Sequence, residues 1–196
     1  RNVFHDHREN AVDIKECEDI IVSQNTCYGF GPVSSSSGEA IVVHYEARRV
    51  WIVGNEISDA QFGVCSTGVH GLYIVGNTIR DIRELGGMPE VDPQSPHRGG
   101  IGIRWYNSAD VHVVNNSFHN CVTGIGADIL GTPTEIVNNM VSSLAAGEDG
   151  YHVTVCGESA ALADSAMSHN VFHQSGGAVR IWWDGGPYDL AAFAAA

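Results

Sequence analysis

Lysine is nearly absent: Lys15 stands alone among ten basic residues, against 23 acidic ones in a chain of 196. The formal charge of −13 leaves no broad basic surface. Non-specific contact with nucleic acid or anionic membranes is therefore not expected. No apolar run approaches the roughly 20 residues of a membrane span, so no membrane insertion is expected either. The five cysteines, Cys17, Cys27, Cys65, Cys121 and Cys156, are odd in number and contain no CxxC pair. That argues against zinc and for small residues filling or flanking an interior, with a Cys17–Cys27 bridge left open by spacing alone. The ten histidines form no HExxH or other compact metal motif, and no metal site is assigned. Helical periodicity is missing until the last ten residues.

What is present is repetition. The phrases IIVSQNTC, VWIVGNEI, LYIVGNTI, VHVVNNSF, TEIVNNMV and AMSHNVF place Asn25, Asn55, Asn77, Asn116, Asn139 and Asn170 at one recurring position. An apolar-x-apolar strand precedes each, as in Val50-x-Ile52 and Val111-x-Val113. About ten residues earlier runs a second series, through residues 11–15, 40–44, 63–67, 102–106, 124–128, 150–154 and 178–182. Alternate residues in most of these are apolar, as in a strand with one buried face. A period of roughly 20–50 residues marks stacked units that bury their apolar sides only against each other. Short strands coiled so that each pairs with its copy on the next turn form a parallel β-helix. The recurring Asn suits a sharp corner, where it tolerates left-handed backbone geometry and its amide bonds the next copy as a ladder. Three Gly-, Pro- and Ser-rich insertions, Phe30–Gly38, Gly86–Gly100 and Gly157–Ser165, read as loops.

On phrases such as GIGIRWYNSADVHVVNN and AIVVHYEARRVWIVGN, residues 10–183 resemble the right-handed parallel β-helix repeat family of the pectate-lyase-like superfamily. The expectation is an all-β, right-handed solenoid of about seven rungs, forming a single domain over 1–196. Its regular rungs run over about 10–183, and 184–196 form a C-terminal cap or tail. Stacking at about 4.8 Å makes a rod roughly 30 Å long. That is short for the superfamily, and the chain opens on Arg1 close to the first repeat. Both features fit an N-terminally truncated fragment, with a missing segment or a partner copy covering the open coil end. The resemblance implies an extracellular or periplasmic protein with a polysaccharide as partner.

With Val12 and Ile14 inward, the same register turns Asp13 and Lys15 outward. It does the same for His44, Cys65, Thr67, Arg104, Tyr106, Asp128, His152, Thr154, Arg180 and Trp182. Aromatic faces cover the CH side of sugar rings and arginine grips carboxylates with two prongs, so this strip is the candidate site, bordered by the Gly86–Gly100 loop. Arg104, Lys15, His44 and His152 are the catalytic candidates; Tyr106, Asp128, Arg180 and Trp182 are the substrate-binding candidates. Trp105 and Tyr106 are expected to shield Arg104 from water.

The resemblance favours β-elimination, or C5 epimerisation, on a uronic-acid-containing glycan, with Arg or Lys as base and Ca²⁺ as a candidate cofactor. Asp13, Glu16, Glu18 and Asp19 are acid-rich but mostly adjacent, so few can reach one ion. Hydrolysis by paired carboxylates is an alternative, with Glu148 and Asp149 near His152, although Trp182 stands where related hydrolases carry Lys. A non-catalytic carbohydrate-binding or structural module, as in a surface protein, an adhesin or a phage spike, is the other.

Overall fold

A computed structural model describes residues 1–7, 9–86, 98–129, 132–146, 149–157 and 159–195. Among these, the chain winds through three sheets in turn, contributing one strand to each per rung. Sheet A has seven strands, from Val3–His5 to Val171–His173, and sheet C six, from Glu18–Ser23 to Ala166–Ser168. Sheet B holds Val12–Lys15, Glu39–His44, Phe62–Thr67, Ile101–Tyr106, Thr123–Ile129, Val153–Gly157 and Ile181–Trp183, with Gly186–Tyr188 added antiparallel as an eighth strand. Every other pairing between these described strands is parallel, the topology of a β-helix.

The alternation in the sequence sets what is inside. Val12, Ile41, Val64, Ile103, Ile125, Val153 and Ile181 are register partners on successive rungs of sheet B and form one column of the core. On sheet C, Val50, Leu72 and Val111 form a second, and Ile52, Ile74, Val113 and Ile136 a third. Ile14, Val22 and Val43 are buried as well, while Val12 and Ile20 are half-buried beside the first rung. Sheet A supplies Cys27, Ile57, Ile79, Phe118 and Val141 as the third wall. Every described cysteine is a free thiol, so Cys17 and Cys27 are not bridged.

The asparagines lie at the corner between sheets C and A. Each of the first five donates its backbone N–H and its Nδ2–H to Oδ1 of the asparagine one rung on, at 2.8–3.1 Å. The second Nδ2 proton goes to a strand carbonyl, as from Asn77 to Ile52. Asn2 joins as a further member, donating to Asn25. The left-handed residue is the one before the ladder Asn, not the Asn itself: Gln24, Gly54, Gly76, Asn115, Asn138 and His169 all have positive φ. The amide must point inward along the stack, so the neighbour makes the turn, and glycine and asparagine are favoured there.

One further expectation changes. The insertion at Gly157–Ser165 contains a short helix, α1 (Ser159–Ala163), because Ala161 and Leu162 reach the core. The tail forms α2 (Leu190–Ala195), whose Phe193 packs edge-on against Trp183 and Tyr188.

Candidate functional site

The outward face of sheet B carries a polar cleft of about 440 Å³, in the size range of small-ligand sites. Register explains its floor. Asp13, Val42, Cys65 and Arg104 are partners on four successive rungs, and Lys15, His44, Thr67 and Tyr106 form the column beside them. The Ser35–Ser37 stretch of the first insertion forms a wall. It is tied down by Ser35 Oγ donating to Glu9 (2.6 Å) and Ser36 Oγ donating to Glu39 (2.9 Å).

Asp13 is the hub of the cleft's open end. One carboxylate oxygen accepts from Lys15 Nζ at 2.7 Å, and the other lies 2.8 Å from His44 Nε2. Partial burial acts to raise the Asp13 carboxyl, but the hydrogen bonds from Lys15 and His44 outweigh it and hold it below the ordinary carboxylate value. The hydrogen bond to Asp13 also raises Lys15 above the ordinary lysine value, so Lys15 is an ammonium. With Asp13 taking the Nε2 proton, neutral His44 keeps Nδ1 as an acceptor. The His44 ring stacks on Tyr45, centroids 4.1 Å apart.

Arg104 lies deeper and is 7% exposed. Its guanidinium sits 4.0 Å from the Phe62 ring centroid and 5.8 Å from that of Tyr106. Nε and Nη2 point at Cys65 Sγ, at 3.2 and 2.9 Å. Phe62, not Trp105, supplies the shield: the Trp105 side chain is fully buried in the core. Burial pushes the Cys65 thiol up, a trend the charge of Arg104 opposes and does not overcome.

Lys15, His44, Arg104 and Tyr106 are thus gathered in one cleft; His152, Arg180 and Trp182 are not. His152 is fully buried, which corrects its expected place on the outward face. The repeat at 150–154 pairs two residues away from the spacing read from glycine positions: Thr154, not His152, is the partner of Gly126. A two-residue slip keeps the alternation but moves His152 to the bend occupied by Gly102 and Gly124 on earlier rungs. There a side chain is aimed at Phe118 or Val141 inside the coil. The His152 ring packs edge-on against Phe172. The same slip moves Trp182 into the Arg104 column, three rungs away. Arg180 pairs with Asp149 and lies over Tyr151, forming a separate cluster with Trp182. Thr154 is buried, and Asp128 sits beside Tyr106 on the next rung, at the cleft's margin.

Glu148 and residues 87–97 of the expected bordering loop lie outside the described residues. The cleft does not fit a resident Ca²⁺: Asp13 is committed to Lys15 and His44. Among the described residues no three His, Cys, Asp or Glu side chains are arranged to hold an ion. Glu9 and Glu39 did not stand out in the sequence, whereas the serine wall belongs to the Ser-rich insertion Phe30–Gly38 read there as a loop. Asp13 and Cys65 did lie in the outward columns, and the alternation of charge with small residues there was the available clue.

Fold and cleft together define a right-handed parallel β-helix with one polar, cation-containing face. The family model for the right-handed β-helix region matches residues 1–190, and the chain belongs to that family. No curated protein and no solved structure shows significant similarity to it.

Proposed function

We propose that the sheet B cleft binds a uronic-acid-containing glycan and acts on it as a lyase or C5-epimerase, outside the cytoplasm where such polymers are met. The observation that supports this most is the pairing within one cleft of a buried, acid-free arginine, Arg104, with an Asp13–His44 dyad. β-Elimination and epimerisation share a first step, removal of the C5 proton next to a sugar carboxylate. The carboxylate must be held and its developing charge stabilised, which a planar guanidinium does with two parallel hydrogen bonds. The proton must go to a base oriented by a second group, and His44 on Asp13 has that form. Lys15, kept charged by Asp13, is a cation for the substrate and not the base. Tyr106 borders the same floor and offers a ring and a hydroxyl.

The test is incubation with a panel of uronic-acid polymers, following ultraviolet absorbance of the unsaturated product, reducing ends and C5 configuration by NMR. A lyase gives the first two and an epimerase the third. Reducing ends without absorbance would indicate a hydrolase, and binding without turnover a carbohydrate-binding module. Loss of turnover with retained binding in His44→Ala is expected. Full turnover in that variant would remove His44 from the mechanism.

A further inference from the structure

We propose that Cys65 is a positioning residue, which holds Arg104 as an uncompensated cation aimed at a substrate carboxylate. The proposal rests on the glycan reading of the cleft and adds how its charge selectivity is built.

Among the described residues, Arg48, Arg49, Arg80, Arg83, Arg98 and Arg180 each pair with a carboxylate; Arg104 and the exposed Arg1 do not, and Arg104 is the buried one of the two. Arg98 makes the sharpest contrast. It is as buried as Arg104, yet its guanidinium meets Glu84 at 2.7 Å. Taking a guanidinium out of water costs several kcal/mol unless an opposite charge offsets it. At Arg104 no carboxylate lies within pairing distance, and Glu39 of the same cleft acts on the neighbouring Cys65 only through space. The partner found there is a sulfur, a weak acceptor, which takes both Nε and Nη2. Two donors on one atom, with the Phe62 ring against the guanidinium plane, fix the orientation of the group.

A carboxylate in the position of Cys65 would fix Arg104 equally well and cancel its charge. A neutral thiol fixes it and leaves the charge in place. Burial keeps Cys65 in the S–H form, so it serves neither as nucleophile nor as a second anion. The edge of the guanidinium not held by sulfur belongs to a residue that lines the cleft. A planar monoanion there completes the pair that the protein leaves open, and a neutral sugar does not.

The experiment compares calorimetric binding of a uronic-acid oligomer with its carboxyl-reduced, neutral counterpart. It uses the full chain and its Cys65→Ser, Cys65→Ala and Cys65→Asp variants, with the Arg104 Nε–H followed by nitrogen-15 NMR. The unmodified protein should prefer the acidic oligomer by about tenfold or more, as a charge-assisted contact implies. Cys65→Asp should abolish the preference while neutral-oligomer binding persists. Cys65→Ser should retain most of it. Cys65→Ala should reduce it and broaden or lose the Arg104 Nε–H resonance. An unchanged preference in Cys65→Asp overturns the proposal. So does an Arg104 resonance in Cys65→Ala as protected as in the parent, a result that needs no ligand and stands even if the Asp variant fails to fold. Absence of any acidic preference in the parent protein would overturn the glycan reading itself, which separates the two failures.

Discussion

The ring of His152 occupies a corner that is glycine on earlier rungs, and its two nitrogens are both used. Nδ1 accepts the backbone N–H of Arg180 at 3.2 Å, which leaves Nε2–H to donate to His173 O at 3.2 Å. Only the neutral ring fits this pattern. Burial, more than any other factor, holds His152 below the ordinary histidine value of 6.5. The unfolded chain therefore takes up a proton first as pH falls. The stability this ring contributes is whole above about pH 6.5 and is lost as pH drops toward the folded value. Melting temperature should fall between pH 7 and pH 5, and His152→Gln should flatten that slope. An unchanged slope would show that other groups set it. His112 has the opposite sign. Burial acts to lower it, but Glu135 at 2.8 Å and Asp110 at 2.9 Å outweigh that and raise it. Its contribution is present below about pH 6.5 and lost as pH rises through its folded value. Exposed pairs are worth roughly 0–1 kcal/mol, so the loss should be small, and His112→Asn should remove it.

At the scale of the element, the rungs are held by two columns whose chemistry differs. The asparagine ladder is fully satisfied, so removing one member leaves partners exposed inside the coil. Asn77→Ala takes two acceptor contacts from Asn55 and frees the carbonyl of Ile52. It should cost about 1–3 kcal/mol in denaturant unfolding, with glycan binding per folded molecule intact. A loss of binding at unchanged stability would place Asn77 in the site instead. The glycine column on sheet B is governed by space. A Cβ on Gly124 would lie 2.6 Å from both His152 O and a Val141 methyl, so Gly124→Ala should cost about 1–3 kcal/mol through overpacking. Equal stability would mean that the rungs can move apart there. These columns also show what was legible beforehand. The repeat of Asn after an apolar-x-apolar strand carried the fold, because burial of one face demands that alternation. The inward and outward sets followed for Arg104 and Tyr106. The His152 error arose because Gly124 and Gly150 look equivalent while hydrogen bonding pairs Gly126 with Thr154. Alternation cannot detect a slip of two. The Phe62 shield and the Ser35–Ser37 wall depend on side-chain direction and on loop closure, neither of which has a period.

For the molecule as a whole, the charge of −13 opposes the substrate class that Arg104 favours locally. An acidic polymer approaching from solution meets repulsion over long range and attraction only on contact. Salt separates the two, because screening acts on the distant charges first. The screening length shortens from about 30 Å at 0.01 M to about 10 Å at 0.1 M. Over that range, association with a polyuronate should speed up, by roughly severalfold on the scale of electrostatic rate effects. Most steered complexes show the reverse, slowing as salt rises. The buried Arg104 contact is screened far less, so dissociation should change little over the same interval. Binding of the carboxyl-reduced polymer should be flat throughout. Stopped-flow measurement of both polymers against ionic strength checks this. An association rate that falls with salt would mean that the cleft's cations dominate the field at a distance. Rates for the two polymers that coincide at every salt concentration would mean that the cleft does not read charge.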